Sequence, residues 1–191
     1  GQLIAATDAK GKTIRYSYNP LAKLVNKYYP DGSLVHFSYN PAGKITTVQG
    51  PDTSLMYSYD TMNRIISKQD ILFGQKLLYA YDKAGRITEM TGPDDLSIKY
   101  TYDGRGRMTS ISNPRGERTE YLYDAAGRRS LIKHINRISS RLTYDKMGRI
   151  SEILHQADRD KLIAGMKYAY DMNDNRVAAI VDGSQTRKFT Y

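Results

Sequence analysis

The stretch Tyr79-Ala80-Tyr81-Asp82-Lys83-Ala84-Gly85-Arg86-Ile87 decides how this chain folds. Two tyrosines spaced by one residue put both rings on the same face of a β-strand, because strand side chains alternate with a period of two. Asp82 then signals a turn, since its carboxylate can accept hydrogen bonds from nearby backbone N–H groups. Gly85, three residues on, supplies the positive φ that a chain reversal demands. Ile87 opens a short, Thr-rich return strand. The nonapeptide is therefore a β-hairpin written in nine residues.

Working outward, the same phrase recurs along the whole chain. Its paired positions, aromatic except at Leu142, are Tyr16/Tyr18, Phe37/Tyr39, Tyr57/Tyr59, Tyr79/Tyr81, Tyr100/Tyr102, Tyr121/Tyr123, Leu142/Tyr144 and Tyr168/Tyr170, and Phe189/Tyr191 opens a ninth. The second positions follow one another at 21, 20, 22, 21, 21, 21, 26 and 21 residues, a regularity that makes this a tandem repeat. The acidic or amide position is Asn19, Asn40, Asp60, Asp82, Asp103, Asp124, Asp145 and Asp171. The glycine position is Gly43, Gly85, Gly106, Gly127 and Gly148, with Asn63 once in its place; Ala22 and Asp174 depart from it. Arginine follows at Arg64, Arg86, Arg107, Arg128 and Arg149. A second turn closes most units, as in Pro30-Asp31-Gly32, Gly50-Pro51-Asp52 or Asn113-Pro114-Arg115-Gly116, where Pro and Gly occupy their usual turn positions.

The fold class that follows is all-β: tandem hairpins of about eight units forming one long, twisted antiparallel sheet over residues 1–191, a single repeat array and a fragment of a longer protein. A sheet that wide should coil or close, because strands twist and open edges are a liability. One unit breaks the rhythm. Between Ile150 and Tyr168 there are about five extra residues, within Gln156–Gly165, expected to form a longer hairpin loop.

Composition fits this reading. Tyrosine supplies 17 residues, 15 of them in the motif, and compensates for a modest aliphatic content. There is no Cys, so no disulfide staples the repeats. No apolar run is long enough to span a membrane as a helix. The net charge of +9 is largely the repeated basic position, and nucleic acid is not the expected partner.

The motif resembles the RHS/YD-repeat family, most closely at Tyr81-Asp82 to Ile87 and Tyr144-Asp145 to Ile150, and also at Tyr59-Asp60 to Ile65, Tyr102-Asp103 to Met108 and Tyr123-Asp124 to Arg128. The family comprises bacterial rearrangement-hotspot toxins, toxin-complex shell subunits, wall-associated proteins and teneurins. The resemblance implies a β-sheet spiralling into a hollow shell, secreted or at the bacterial cell surface, whose partners are the rest of the parent chain and an enclosed toxin domain. No Asp-Pro dipeptide of the kind found in self-cleaving bacterial shells is present. An extracellular module binding carbohydrate or a cell-surface protein is the alternative, and open sheet edges would permit self-association.

No catalytic, cofactor or metal residues are assigned. The recurring Asp/Arg pairs read as turn-forming and pairing groups rather than acid–base machinery, because identical catalytic sites repeated along a wall have no use. Asp171-Met172-Asn173-Asp174-Asn175 resembles the start of a calcium loop, but Arg176 stands where that loop needs Gly. His36, His134 and His155 fall in different units without ligand spacing. The residues expected to carry the structure are the repeat positions themselves, with Tyr168, Tyr170 and Asp171 forming the last complete set.

Overall fold

A computed structural model describes residues 1–157, 161–181 and 185–188, so the ninth motif at Phe189–Tyr191 lies outside the described residues. The chain divides into two compact units, Gly1–Ser97 and Ile98–Tyr191. The first holds β1 (Ala5–Thr7), β2 (Thr13–Tyr18), β3 (Leu24–Tyr28), β4 (Leu34–Tyr39), β5 (Ile45–Gly50), β6 (Thr53–Tyr59), β7 (Ile65–Asp70), β8 (Gln75–Tyr81) and β9 (Ile87–Thr91), then one 3₁₀ turn at Pro93–Asp95. The second holds β10 (Ser97–Tyr102), β11 (Met108–Ser112), β12 (Arg118–Tyr123), β13 (Arg129–Lys133), β14 (Ser139–Tyr144), β15 (Ile150–Gln156), β16 (Leu162–Tyr170), β17 (Arg176–Val181) and β18 (Gln185–Lys188). Within each unit every strand pairs antiparallel with its sequence neighbour. The expected all-β meander of hairpins is the observed architecture.

Each Tyr-x-Tyr strand meets its return strand through one repeated irregularity. The register slips by one residue immediately before the second tyrosine, at Ser17/Tyr18, Ser38/Tyr39, Ser58/Tyr59, Ala80/Tyr81, Thr101/Tyr102, Leu122/Tyr123, Thr143/Tyr144 and Ala169/Tyr170. This β-bulge leaves one extra residue on the return strand. Its effect on the core is direct. In β9, Ile87 pairs with Tyr81 and Met90 with Tyr79. Residues three apart would face opposite ways in a regular strand; the bulge brings both onto the tyrosine face. Ile150 and Ile153 face Tyr144 and Leu142 by the same device.

Burial follows the pleat. In β8, Leu77, Tyr79 and Tyr81 are partly buried, whereas Leu78 and Ala80 are exposed. In β14, Ser140, Leu142 and Tyr144 are the covered set, and Arg141 and Thr143 are exposed. The tyrosine face is thus the packed face, although few side chains on either face are wholly enclosed: Ser110 and Ser140 are the buried polar ones among the described residues.

The irregular unit takes a form that spacing alone did not indicate. Its extra residues lengthen the strands, β15 to seven residues and β16 to nine, with Ala157 N–H donating to Lys161 O at 2.8 Å to close the hairpin. Residues 158–160 lie outside the described residues.

Candidate functional site

The chemistry of this molecule is concentrated in the turn that follows the second tyrosine, and it repeats. In the third unit, Asp60 N–H donates to Arg64 O at 3.0 Å and Asn63 N–H to Asp60 O at 3.0 Å, closing the turn. Asp60 Oδ1 accepts the backbone N–H groups of Met62 and Arg64, both at 2.9 Å. Asp60 Oδ2 accepts Arg64 Nε at 2.7 Å. One carboxylate therefore holds the turn on one oxygen and the arginine on the other, a charge-assisted arrangement stronger than neutral hydrogen bonds. The same 2.7 Å contact to Nε recurs at Asp82/Arg86, Asp103/Arg107, Asp124/Arg128 and Asp145/Arg149.

The carboxyls of all five aspartates lie below the usual carboxylate range. At Asp60, Asp82 and Asp103 the main cause is the backbone N–H of the following arginine, and at Asp124 it is the guanidinium hydrogen bond from Arg128. At Asp145 desolvation is the largest influence and opposes the shift, but the Arg149 bonds together outweigh it.

Positive φ appears where the repeat requires it: Gly43 at 72°, Gly85 and Gly106 at 82°, Gly127 at 84° and Gly148 at 85°. The departures adopt the same backbone, with Ala22 at 61°, Asn63 at 60° and Asp174 at 65°. The turn is imposed on whatever residue stands there.

Fixed by their aspartates, Arg64, Arg107, Arg128 and Arg149 reach forward to the next repeat. The Arg64 guanidinium lies 4.5 Å from the ring centre of Tyr81, Arg107 4.4 Å from Tyr123, Arg128 4.3 Å from Tyr144 and Arg149 4.6 Å from Tyr170. These are cation–π distances. Arg64 Nη1 also donates to Asp82 O at 3.3 Å, and Arg149 Nη1 to Asp171 O at 3.1 Å and to Asp174 Oδ1 at 2.7 Å. Arg107 Nη1 is buried and has no hydrogen-bond partner among the described residues; it sits over Gly127, where an added Cβ would lie 3.4 Å from it.

The tyrosine under the guanidinium reaches back. The Tyr81 hydroxyl donates to Ile65 O at 2.7 Å, Tyr123 to Met108 O at 2.7 Å, Tyr144 to Arg129 O at 2.7 Å and Tyr170 to Ile150 O at 2.8 Å. Tyr18, Tyr39 and Tyr59 do the same to Leu3, Leu24 and Ile45. The acceptor, apart from Leu3, is the first residue of the preceding return strand. Its carbonyl is free because neighbouring hairpins are paired for only a few residues: β3 and β4 match at Asn26/His36, Lys27/Val35 and Tyr28/Leu34, and then part. A buried carbonyl left without a donor is costly, so the hydroxyl is required there. Burial raises the Tyr39 and Tyr59 hydroxyls above their ordinary range, which keeps them protonated as donors.

The first aromatics, Tyr57, Tyr79, Tyr100 and Tyr121, line the packed face opposite Lys68, Met90, Ile111 and Ile132. Asp171 behaves as a turn residue: its Oδ1 accepts Asn173 and Asn175 N–H at 2.9 Å and its Oδ2 accepts Asn175 Nδ2 at 3.1 Å. Those oxygens are occupied, and among the described residues no group of three or more metal-ligating side chains converges. One cluster escaped the sequence reading. His134 Nε2 and His155 Nδ1 lie 2.9 and 2.8 Å from the same Ser140 Oγ. These residues belong to different hairpins, and only the lengthened pairing of β14 with β15 brings them together.

A carboxylate-fixed arginine stacked on the next repeat's tyrosine defines a tandem-hairpin wall. Residues 81–118 and 102–137 match the RHS Repeat family. No curated protein matches it by sequence. Among solved structures it is similar to TcdB2-TccC3 without the hypervariable C-terminal region, at 13% identity with a TM-score of 0.79, over 95% of this chain and 11% of that one. TcdB2-TccC3-TEV matches at 12% identity with a TM-score of 0.61, over 100% of this chain and 13% of that one. A Tc holotoxin pore of Photorhabdus luminescens matches at 13% identity with a TM-score of 0.57, over 95% and 12%. At these identities the likeness is one of fold, and the chain spans about a tenth of each matched chain.

Proposed function

We propose that this chain is a segment of the wall of a secreted shell, a structural scaffold of an RHS-type toxin whose parent protein encloses an effector. The observation that carries the reading is the backward tyrosine of successive repeats, joined at Arg64, Arg107, Arg128 and Arg149 by a forward arginine. Together they tie successive hairpins without a conventional core, which is what a thin extended wall needs. The carboxylates are committed to turns and guanidinium groups, so the repeated Asp/Arg positions act as fasteners and not as acid–base catalysts. The single array over residues 1–191, its place in a longer chain and its extracellular location belong to the same proposal, and the small share of the matched structures that it covers supports a larger parent.

The test uses the parent protein. Limited proteolysis of intact particles should leave the distal C-terminal portion protected, and an Arg107→Ala/Arg128→Ala variant should expose it while the isolated effector stays cleavable throughout. Equal cleavage of that portion in intact particles and as an isolated fragment would overturn the proposal.

A second reading rests on a groove of about 470 Å³ lined by Lys10, Lys12, Arg15, Tyr28 and Tyr29, among others. Lys27 Nζ lies 4.7 Å over the Tyr29 ring at the same place. Cations interleaved with aromatic rings suit an acidic glycan. Calorimetric titration with heparin should give saturable, salt-sensitive heat that Tyr29→Ala abolishes; heat unaffected by that substitution removes the reading.

A further inference from the structure

Ser140 is 4% exposed, and its hydroxyl is bonded on both sides by imidazoles, His134 Nε2 at 2.9 Å and His155 Nδ1 at 2.8 Å. His134 opens the turn after β13, and Ser140 pairs with Ile132 on β13 and with His155 on β15. The three residues therefore pin the β13–β14 turn to the next hairpin. A hydroxyl has one proton to give and two lone pairs to accept with. With at least one imidazole neutral the chain is satisfied, because Ser140 donates to that ring and can accept an N–H from the other. With both rings charged, each is only a donor. The buried hydroxyl proton then loses its acceptor, and two positive charges stand within about 6 Å of each other.

Among the described residues the surroundings offer no compensation, and neither imidazole is bonded to a carboxylate. On β12, Glu120 is engaged by Arg118 and Lys133; on β15, Glu152 is engaged by Lys167 of β16. Ile132 of β13 and Ala164 of β16, which face Ser140 and His155, carry no charge. At the same end of the hairpins the strands and turns add Arg137, Arg141 and Lys161, all cationic; the turns at the opposite end hold Asp124 and Asp145 paired with Arg128 and Arg149, and Asp158, Arg159 and Asp160 lie outside the described residues. His36 gives an internal contrast. Its Nδ1 lies 2.8 Å from Asn26 Oδ1, an acceptor that a protonated imidazole satisfies equally well.

We propose that His134, Ser140 and His155 form an acid-released latch in the second unit. Near neutral pH it holds the turn at residues 134–138 against β15; when both imidazoles take up protons the turn lets go. Histidine is the side chain suited to this, since its unperturbed titration falls near pH ~6.5. The latch is independent of the shell reading and applies whatever the wall encloses.

Amide hydrogen exchange of the chain at pH 7.5 and 5.0, normalised for intrinsic rates, tests it. Protection across residues 132–142 should fall about tenfold or more on acidification. His155→Gln, which can still donate and accept but does not titrate, should remove that fall, whereas His36→Gln should leave it intact. Unchanged protection in the wild-type chain, or an undiminished fall in His155→Gln, would overturn the proposal. Should the variant not fold, Ser140→Ala decides: without the hydroxyl, protection across residues 132–142 should already be low at pH 7.5 and fall little on acidification, and a fall as large as in the wild-type chain would contradict the latch.

Discussion

The first two repeats and the later ones solve the same turn with different residues. Asn19 and Asn40 stand where Asp60, Asp82, Asp103, Asp124 and Asp145 stand later, and Lys23 and Lys44 where the arginines do. The hairpins are alike. Asn19 Oδ1 accepts Leu21 and Lys23 N–H at 3.0 and 2.9 Å, Asn40 Oδ1 accepts Lys44 N–H at 2.9 Å, and the Tyr39 and Tyr59 hydroxyls still reach back, at 2.6 and 2.7 Å. What changes is the forward contact. Lys23 lays its stem over Gly43, where an added Cβ would lie 3.2 Å from Cε, and brings no planar fork to the next ring. An amide oxygen is thus as good as a carboxylate for making the turn. The negative charge and the guanidinium add a second link from one repeat to the next.

That comparison can be broken most forcefully at the rings. Tyr123→Ala should cost about 4 kcal/mol and Tyr39→Ala about 3 kcal/mol in denaturant unfolding, the excess reflecting the Arg107 stacking that Tyr39 lacks. Equal losses would mean that the arginine contributes nothing. At the turn, Gly127→Ala should cost about 2 kcal/mol, because it forces a side chain into positive φ and against Arg107 Nη1. Gly32→Ala, at φ +85° with open space around it, should cost only about 1 kcal/mol. Ala22→Gly should stabilise by about 0.5 kcal/mol, since Ala22 already sits at φ 61° and glycine relieves that strain at some entropic expense.

Acid separates the two kinds of repeat without mutation. The aspartate carboxyls are held down in the folded chain, so their contribution is present above the unfolded carboxylate value near pH ~3.9 and is lost as pH falls below it. The chain should therefore lose stability below about pH 4. Asp103→Asn/Asp124→Asn should flatten that limb of the profile towards the behaviour of the Asn19 and Asn40 repeats, which carry no proton to gain.

Much of the fold was legible from the period and from the two-residue spacing of the rings, because strand alternation and turn chemistry are local. The bulge was also written in the chain, in the three-residue spacing of Ile87 to Met90 and Ile150 to Ile153, which a regular strand cannot place on one face. The forward contact was legible only in part: the Asp/Arg positions read as turn-forming and pairing groups, and Arg64 bonds both its own aspartate and the next repeat. The His134–Ser140–His155 cluster left no trace in the sequence, because it depends on the long-range register of β14 and β15, set by strands that the extra residues lengthen.

The central claim is that arginine and tyrosine join adjacent repeats. A double-mutant cycle between Arg107 and Tyr123, using Arg107→Lys and Tyr123→Leu, measures that link directly. Their coupling should be about 1 kcal/mol, and the matching cycle with Lys44→Met and Tyr59→Leu should give about zero. Additive effects at Arg107 and Tyr123, or an equal coupling at Lys44 and Tyr59, would contradict the account.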